Sequence, residues 1–436
     1  MCWRPERSPW QGTVGSSCGT TTSADRISGI GNAHERRDPM KRLLGSFGIL
    51  SALVGLLVLT GSASASAEDG VTDKEVLLGA GLDLTGAVAN WGVNIKAGME
   101  AVFNRVNDAG GVHGRKIRLI AYDHVYQPPK AVTNAKRLVE RDKVFAMMGH
   151  LGTPTTKAIK DYLEEKQVPD IFPATLASLW TTSGKWHIGD LATYVDQTWL
   201  IIDYLVKDRK IRKIASFYQD DEYGLDGHLG GKARLKHHDL TYVAEVDYKR
   251  ADIDFSSQAA KLKESGAEAV ILQAVYREPP RLAEQCHAIG YNPLFIGPSP
   301  IVLDKTIELG GKHVEGVMGV EVYPLPTEPG PFLDLYRADM KKYFPNLALD
   351  TTNLYGYQKA ALFVEALQRT GRNLTRDSLL KSIESIKDWD PGWGLKYSYG
   401  SDTRRGMSRS ARLVVVKDGK WTKVSDWMEL QEVGRR

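Results

Sequence analysis

"KVFAMMGHLGTPTTKAIKDYLEEKQVPDIFPATLAS", residues 143–178, sets two apolar runs on either side of a helix-length segment. Strand, helix and strand in that order describe a parallel β-α-β unit. The first run ends in Gly and Thr. Thr153 is placed to cap the following helix and Pro154 to open it. Backbone N–H groups at such a start have no partner within the helix, and its dipole favours an anion there. Capped helices are common, so this turn alone does not call for a ligand.

The same alternation extends on both sides. Upstream, "EVLLGAGL" and "KIRLIAY" read as strands and "PPKAVTNAKRLVERD" as a helix opened by Pro. "NIKAGMEAVFNRVNDAGG" places Ile95, Met99, Val102, Phe103 and Val106 on one helical face and stops at Gly110-Gly111. After "KWHIGD" the pattern restarts. "YVDQTWLIIDYLVKD" reads as a helix, "KIASFYQ" as a strand and "YGLDGHLGGKARLKHH" as a helix. The strands "TYVAEVDY", "AEAVILQAV" and "PLFIGP" then alternate with the helices "FSSQAAKLKESG" and "EPPRLAEQCHAIG". Two such runs in series predict an α/β protein of two doubly wound parallel-sheet lobes. "FLDLYRADMKKYF" and "YGYQKAALFVEALQRTG" add two helices, and "RLVVVKDGKWTKV" a hairpin turning at Asp418-Gly419.

A chain of 436 residues has material for two cores. Lys plus Arg number 57 against 53 Asp plus Glu, and no basic stripe suggests a nucleic-acid surface. From Met40, "MKRLLGSFGILSALVGLLVLTGSASASAEDG" has a basic start, an apolar core from Ile49 to Leu59 and small residues suited to cleavage at Ala65 or Ala67. Residues 40–67 therefore read as a secretory signal peptide, and 1–39 as an over-extended, unstructured start. Residues 1–67 hold seven of the basic and four of the acidic side chains, which leaves 50 against 49 in the exported chain. Cys2 and Cys18 also fall in that leader. Cys286 remains alone, so no intramolecular disulfide is expected.

Catalytic and cofactor motifs fail on inspection. "GAGLDLTG" has Gly79 and Gly81, but Leu84 stands at the third glycine position, and the long loop "TGAVANWG" precedes the helix. There is no Walker lysine. "GSSCG" fits a nucleophile elbow only in form, because it lies in the leader. The ten His residues show no paired ligand spacing. His237 and His238 read as a solvated helix end, and His150 as a hydrogen-bonded structural residue. Neither cofactor nor metal is expected. The strand ends remain, where open α/β sheets bind ligands. They carry Trp91 in "ANWG", Gly152 and Thr153, then Ala174, Thr175 and Ser178 in "FPATLAS". The second lobe offers Tyr223 in "YQDDEYG", Tyr276 in "AVYREPP" and Ser299 in "IGPSP". Taken singly, each aromatic is as well explained by packing. Together they suit a cleft for a small acid with an apolar body.

The chain resembles the type I periplasmic solute-binding proteins of the leucine/isoleucine/valine-binding family, which serve ABC importers. The resemblance spans residues 74–430 and rests on "GLDLTGAVANWGVNIKAGMEAVFNRVNDAGGVHGRKIRLIAYD", "GHLGTPTT", "VPDIFPATLAS" and "YQDDEYGLDG". It implies lobes at 74–188 plus 323–393 and at 189–322 plus 394–430. A three-segment hinge would cross near His187–Asp190, Val320–Tyr323 and Trp393–Lys396. It also implies that Gly152, Thr153, Ala174 and Thr175 hold a ligand carboxylate, that Trp91 covers the ligand from the first lobe, and that Tyr223 and Tyr276 close from the second.

Where amino-acid binders of this family place an acid for the ligand ammonium, this chain has Ser299. Leu176 stands where related sequences often have Gly. An unpaired buried ammonium would cost about 3–5 kcal/mol. One charge-assisted hydrogen bond returns only about 1.5–3 kcal/mol. The expected ligand is therefore an aromatic or branched aliphatic acid without an α-amino group. Asp220, Asp221, Glu222, Glu278 or Glu321 would restore the charge and keep amino acids open. The function that the resemblance implies is a monomeric periplasmic receptor that docks on an inner-membrane ABC permease. A ligand-sensing clamshell for a signalling partner is the alternative, and an exported enzyme has no motif behind it.

Overall fold

The computed structural model describes residues 68–181, 184–400 and 408–430. The leader assignments, with Cys2 and Cys18, lie outside the described residues. The first sheet is wholly parallel, in the order β2-β1-β3-β4-β5. Its strands are β1 (Glu75–Leu82), β2 (Lys116–Asp123), β3 (Ala146–Met148), β4 (Asp170–Ile171) and β5 (His187–Ile188). Helices α1 (Ala89–Asp108), α2 (Pro128–Lys136) and α3 (Thr153–Glu165) connect them. β1 is apolar from its second residue onward because both faces of a parallel sheet are covered. β3 and β4 are shorter than the runs predicted for them. Lys143 and Gly149, at φ 56° and 62°, leave extended geometry on either side of β3. The pair His187–Ile188 had no strand signal of its own and is recruited by pairing with Asp170 and Ile171.

The second sheet repeats that topology. β6 (Ile214–Gln219), β7 (Ala244–Tyr248), β8 (Ala269–Gln273), β9 (Leu294–Gly297) and β10 (Met318–Glu321) run parallel in the order β7-β6-β8-β9-β10. Around them lie α4 (Tyr194–Asp203), α5 (Glu222–His237), α6 (Ser256–Glu264), α7 (Glu278–Ala288) and α8 (Asp304–Gly310). The antiparallel strands β11 (Ser410–Lys417) and β12 (Lys420–Lys423) extend the edge, and β13 (Met428–Glu429) pairs with β11. The hairpin turns where predicted. Asp418 and Gly419 are both left-handed, at φ 52° and 68°, as a two-residue hairpin requires.

Helices α9 (Pro331–Tyr343), α10 (Thr351–Thr370) and α11 (Arg376–Glu384) return to the first lobe. α10 meets α1 backbone to backbone. A Cβ on Gly98 would sit 1.9 Å from the Asn353 carbonyl oxygen, and one on Gly356 2.2 Å from that of Ile95. Only glycine permits this approach. Among the described residues the chain passes from one sheet to the other at β5 to α4 and at β10 to α9, and a further stretch between α11 and β11 includes residues outside the described ones. On the last, Tyr399 still packs on Phe172 and donates to the Gly189 carbonyl at 3.1 Å, and Ser408 N donates to the Asp190 carbonyl at 3.2 Å.

A buried ion pair stands beside the first crossing. Lys359 of α10 donates to Asp190 at 2.6 Å and to the Pro173 carbonyl at 3.1 Å, and both charged side chains are fully buried. Burial lowers the Lys359 ammonium to about 8 and raises the Asp190 carboxyl. Lys359→Met leaves the carboxylate without its partner, a loss of about 3–5 kcal/mol. A double variant with Asp190→Asn should recover part of it, because no lone charge remains. Urea denaturation checks this. Equal midpoints for wild type and Lys359→Met would show that the pair is dispensable.

Candidate functional site

In both lobes the strand order reverses beside the first strand, and the loops leaving the carboxyl ends on either side of that point open toward the other lobe. Between them lies a cavity. The first lobe lines it with Val88 and Trp91 after β1, Tyr126 after β2, Leu151, Gly152 and Thr153 after β3, and Ala174 and Leu176 after β4. Tyr194, Tyr223, Val275, Ser299 and Pro300 line it from the second-lobe segment, with Tyr323 after β10 and Tyr355 of α10.

Local chemistry fixes each loop. Asp83, fully buried, accepts from Gly86 N at 2.5 Å and Val88 N at 2.8 Å and so bends the chain from β1 into α1. Two buried histidines brace the neighbouring loops. His150 Nδ1 accepts from Gly81 N at 3.1 Å. His124 accepts from Tyr126 N at 3.0 Å and contacts the Leu151 carbonyl oxygen at 3.1 Å. Gly81 has no Cβ because the His150 ring occupies that place, at 2.2 Å. Val125 and Tyr126 are left-handed at φ 44° and 57°, a strained arrangement for non-glycine residues.

The turn 149–156 differs by one position from the sequence reading. Gly152, at φ 95°, is the residue before the helix, and Thr153 begins α3 with no side-chain cap. The Thr153 hydroxyl pairs instead with that of Thr175 at 2.7 Å. The first turn of α3 holds no acidic residue, and among the described residues the Thr153 N–H has no acceptor. Leu151 N bonds to the Gly81 carbonyl at 2.9 Å and Gly152 N to that of Ala174 at 3.1 Å, so the β1, β3 and β4 ends form one surface.

Trp91, Gly152, Thr153, Ala174, Tyr223 and Ser299 thus share one cavity. Thr175 stands behind Thr153. Tyr276 is not among the lining residues; its hydroxyl donates across the cleft to the Ala87 carbonyl at 3.4 Å, beside a 3.3 Å bond from Arg277. Tyr223 gives its hydroxyl to the Ala274 carbonyl at 2.7 Å and offers the cavity its ring. Ser299 is held by its N–H to Gln197 at 2.8 Å. Sequence reasoning missed Tyr126, Tyr194, Tyr323 and Tyr355. The β2 end was a readable signal for Tyr126. Tyr355 looks like one more core position on a helix.

Among the described residues, no charged side chain lines the cavity. Asp221 caps α5 and pairs with Arg250 at 3.2 Å. Glu222 pairs with Lys157 at 3.3 Å. Glu321 is bonded to Arg412, which also grips Glu328. Glu278, raised to about 7 by burial, faces a separate hollow between α7 and α8. Asp220 is exposed. Cys286 is free and buried, with its thiol pushed up to about 12.

The lobes are latched together. Arg250 Nη1 donates to the Tyr126 carbonyl at 2.7 Å, and its guanidinium lies 5.1 Å from the Tyr126 ring centroid. Because Arg250 also pairs with Asp221, and Asp221 accepts from Tyr223 N at 2.9 Å, one cation ties two cavity rings from opposite lobes. Ser178 N donates to Asp226 at 3.0 Å as a further tie.

Comparison with known proteins gives a consistent result. The pattern of a family described as periplasmic binding protein matches residues 75–420. Leu/Ile/Val-binding protein homolog 1 of Brucella abortus is 27% identical over 328 residues, covering 74% of this chain and 83% of its own. A solved structure of a possible leucine/isoleucine/valine-binding protein from Rhodopirellula baltica is 25% identical, with a TM-score of 0.76 and coverage of 83% and 98%. A fatty acid ABC transporter substrate-binding protein from Thermomonospora curvata is also 25% identical, with a TM-score of 0.75 and coverage of 83% and 94%.

Arg250→Met should loosen the closed arrangement and enlarge the radius of gyration in small-angle scattering; an unchanged profile would dismiss the latch. The histidines predict an acid response. Burial lowers His124 to about 4 and His150 well below its usual value. Below pH 6.5 the unfolded chain takes up protons that the folded chain refuses until about pH 4, so acid favours unfolding in that window. His150→Asn, whose amide oxygen can accept from Gly81, should show a shallower fall of Tm from pH 6.5 to 4 than wild type. Parallel curves would remove His150 from the effect.

Proposed function

Because the chain belongs to the periplasmic binding protein family, we propose that it is the periplasmic receptor of an ABC importer and closes on a small carboxylate that lacks an α-amino group. It is a binding protein, not an enzyme. The observation that carries the proposal is the charge balance of the cavity: an uncapped helix start with a free N–H at Thr153, and no charged side chain in the lining. A carboxylate gains from the α3 dipole and its N–H groups. An ammonium on the same ligand would meet no carboxylate.

In this reading Gly152, Thr153, Ala174 and Thr175 hold the carboxylate, and Ser299 offers a hydroxyl from the other lobe. Trp91 and Tyr223 enclose the apolar body, while Tyr276 closes the cleft outside the contact shell. Binding near micromolar strength, about −8 kcal/mol, needs only two or three charge-assisted bonds and one enclosed apolar group after ordering costs. Export to the periplasm, action as a monomer and docking on an inner-membrane permease complete the proposal. The name of the Brucella relative favours a second ligand class, the branched-chain amino acids.

Thermal-shift and calorimetric titration with benzoate, phenylacetate, isovalerate, L-leucine and L-phenylalanine separates the classes. The acids should raise Tm and the amino acids should not; stabilisation by amino acids alone would overturn the charge argument. Thr153→Pro, which removes the Thr153 N–H at a helix position proline tolerates, should weaken binding of the best acid tenfold or more, as loss of a charge-assisted bond does. An unchanged Kd would take Thr153 out of the site.

A further inference from the structure

The aromatic wall of the cavity is unevenly satisfied. Trp91 and Tyr355 meet edge to face, with centroids 6.1 Å apart at 86°, and Tyr355 stacks on Tyr323 at 5.2 Å. All three line the cavity. Tyr223 has found a backbone acceptor for its hydroxyl. Trp91 Nε1 and the Tyr355 hydroxyl have not: both are buried with no partner among the described residues. An indole N–H only donates, and leaving a buried donor unpaired is costly. Two such donors stand on touching rings of one cavity, and neither has an acceptor among the described residues.

Asp190 Oδ1 is likewise buried without a partner among the described residues, and no bond joins it to the Tyr355 hydroxyl. The cation nearest the Tyr355 ring is the Lys359 ammonium, 3.8 Å from its centroid, and that group is itself a donor already bonded to Asp190 and the Pro173 carbonyl. On the facing side Tyr194 and Tyr223 meet edge to face at 4.9 Å and 78°, so the space has aromatic rings on two sides. Flat apolar bodies suit such walls, and a single oxygen on one would satisfy donors that an unsubstituted ring leaves bare.

We propose that the ligand is an aryl carboxylate bearing a second oxygen, as a ring hydroxyl, ether or side-chain keto group, which accepts from Trp91 Nε1 and the Tyr355 hydroxyl. This rests on the carboxylate reading above and adds what distinguishes one acid from another. Trp91 and Tyr355 then set specificity through their polar atoms and not only through their rings. An acid lacking the second oxygen leaves both donors unpaired and is discriminated against for that reason.

Calorimetry on the exported chain with matched probes tests this: benzoate against 4-hydroxybenzoate and 4-methoxybenzoate, and 3-phenylpropionate against phenylpyruvate. At least one oxygenated acid should bind tenfold or more tightly than its parent. Trp91→Phe and Tyr355→Phe keep the rings and remove the donors. Each should shrink that preference at least fivefold, with circular dichroism and ligand-free Tm confirming that the variants fold. Parent acids binding as well as their oxygenated forms, or variants that weaken both alike, would overturn the second-oxygen inference while the carboxylate reading stands. Binding of amino acids alone would overturn both. Failure of every aryl acid to bind would remove the aryl class while an aliphatic acid still upheld the carboxylate.

Discussion

A buried ammonium stands where the fold's separate parts meet. Lys359 comes from α10, far along the chain; Asp190 belongs to the first crossing; Pro173 precedes the cavity residue Ala174; and the Tyr355 ring, 3.8 Å from the ammonium, is part of the cavity wall. Taking two charges out of water is expensive, and the cost is repaid only when geometry and further hydrogen bonds are good. Here the third partner is a main-chain carbonyl at the end of β4. Any displacement of α10 relative to that strand would separate ions that no solvent can reach. The pair therefore fixes the frame against which the second lobe can move.

That frame is reinforced by a contact without side chains. Gly98 and Gly356 let α1 and α10 touch along their backbones, which sets Tyr355 of α10 beside Trp91 of α1. The polar part of the cavity has another origin. Parallel strands end together, so the loops after β1, β3 and β4 bond to one another through Leu151, Gly152 and Ala174 and present a single surface of main-chain groups. The first lobe adds this main-chain surface to its rings, and the other side adds rings and one serine. The lobes repeat one topology, yet they contribute different chemistry.

Much of this was legible in the sequence, for reasons that differ by element. β1 could be read to the residue because a strand buried on both faces is an apolar run, and the hairpin because Asp-Gly suits two left-handed positions. β5 could not, since two residues become a strand only through a neighbour. Thr153 was read as a cap because its type and place fit. The structure moves the cap to Gly152, because Thr175 engages the hydroxyl from another strand end. Six of the eight residues proposed for the site share the cavity because strand ends converge by topology. Tyr323 and Tyr355 escaped notice because their place depends on chain crossings, which leave no periodic trace.

The neutrality of the cavity does not reflect an inability to bury charge. Arg412 is buried with Glu321 and reaches Glu328; Asp221 is held by Arg250; Asp190 by Lys359. Asp83 accepts from main-chain N–H groups of its own loop, and all of these acids lie outside the cavity lining. A carboxylate kept for a ligand ammonium would stand among the lining residues without a protein cation, and among the described residues none does. The positive pole facing the cavity is instead the start of α3, whose partial charge is spread over main-chain N–H groups. Such a pole suits a single negative group. A zwitterion would have its carboxylate met, while its ammonium would find no carboxylate among the lining residues.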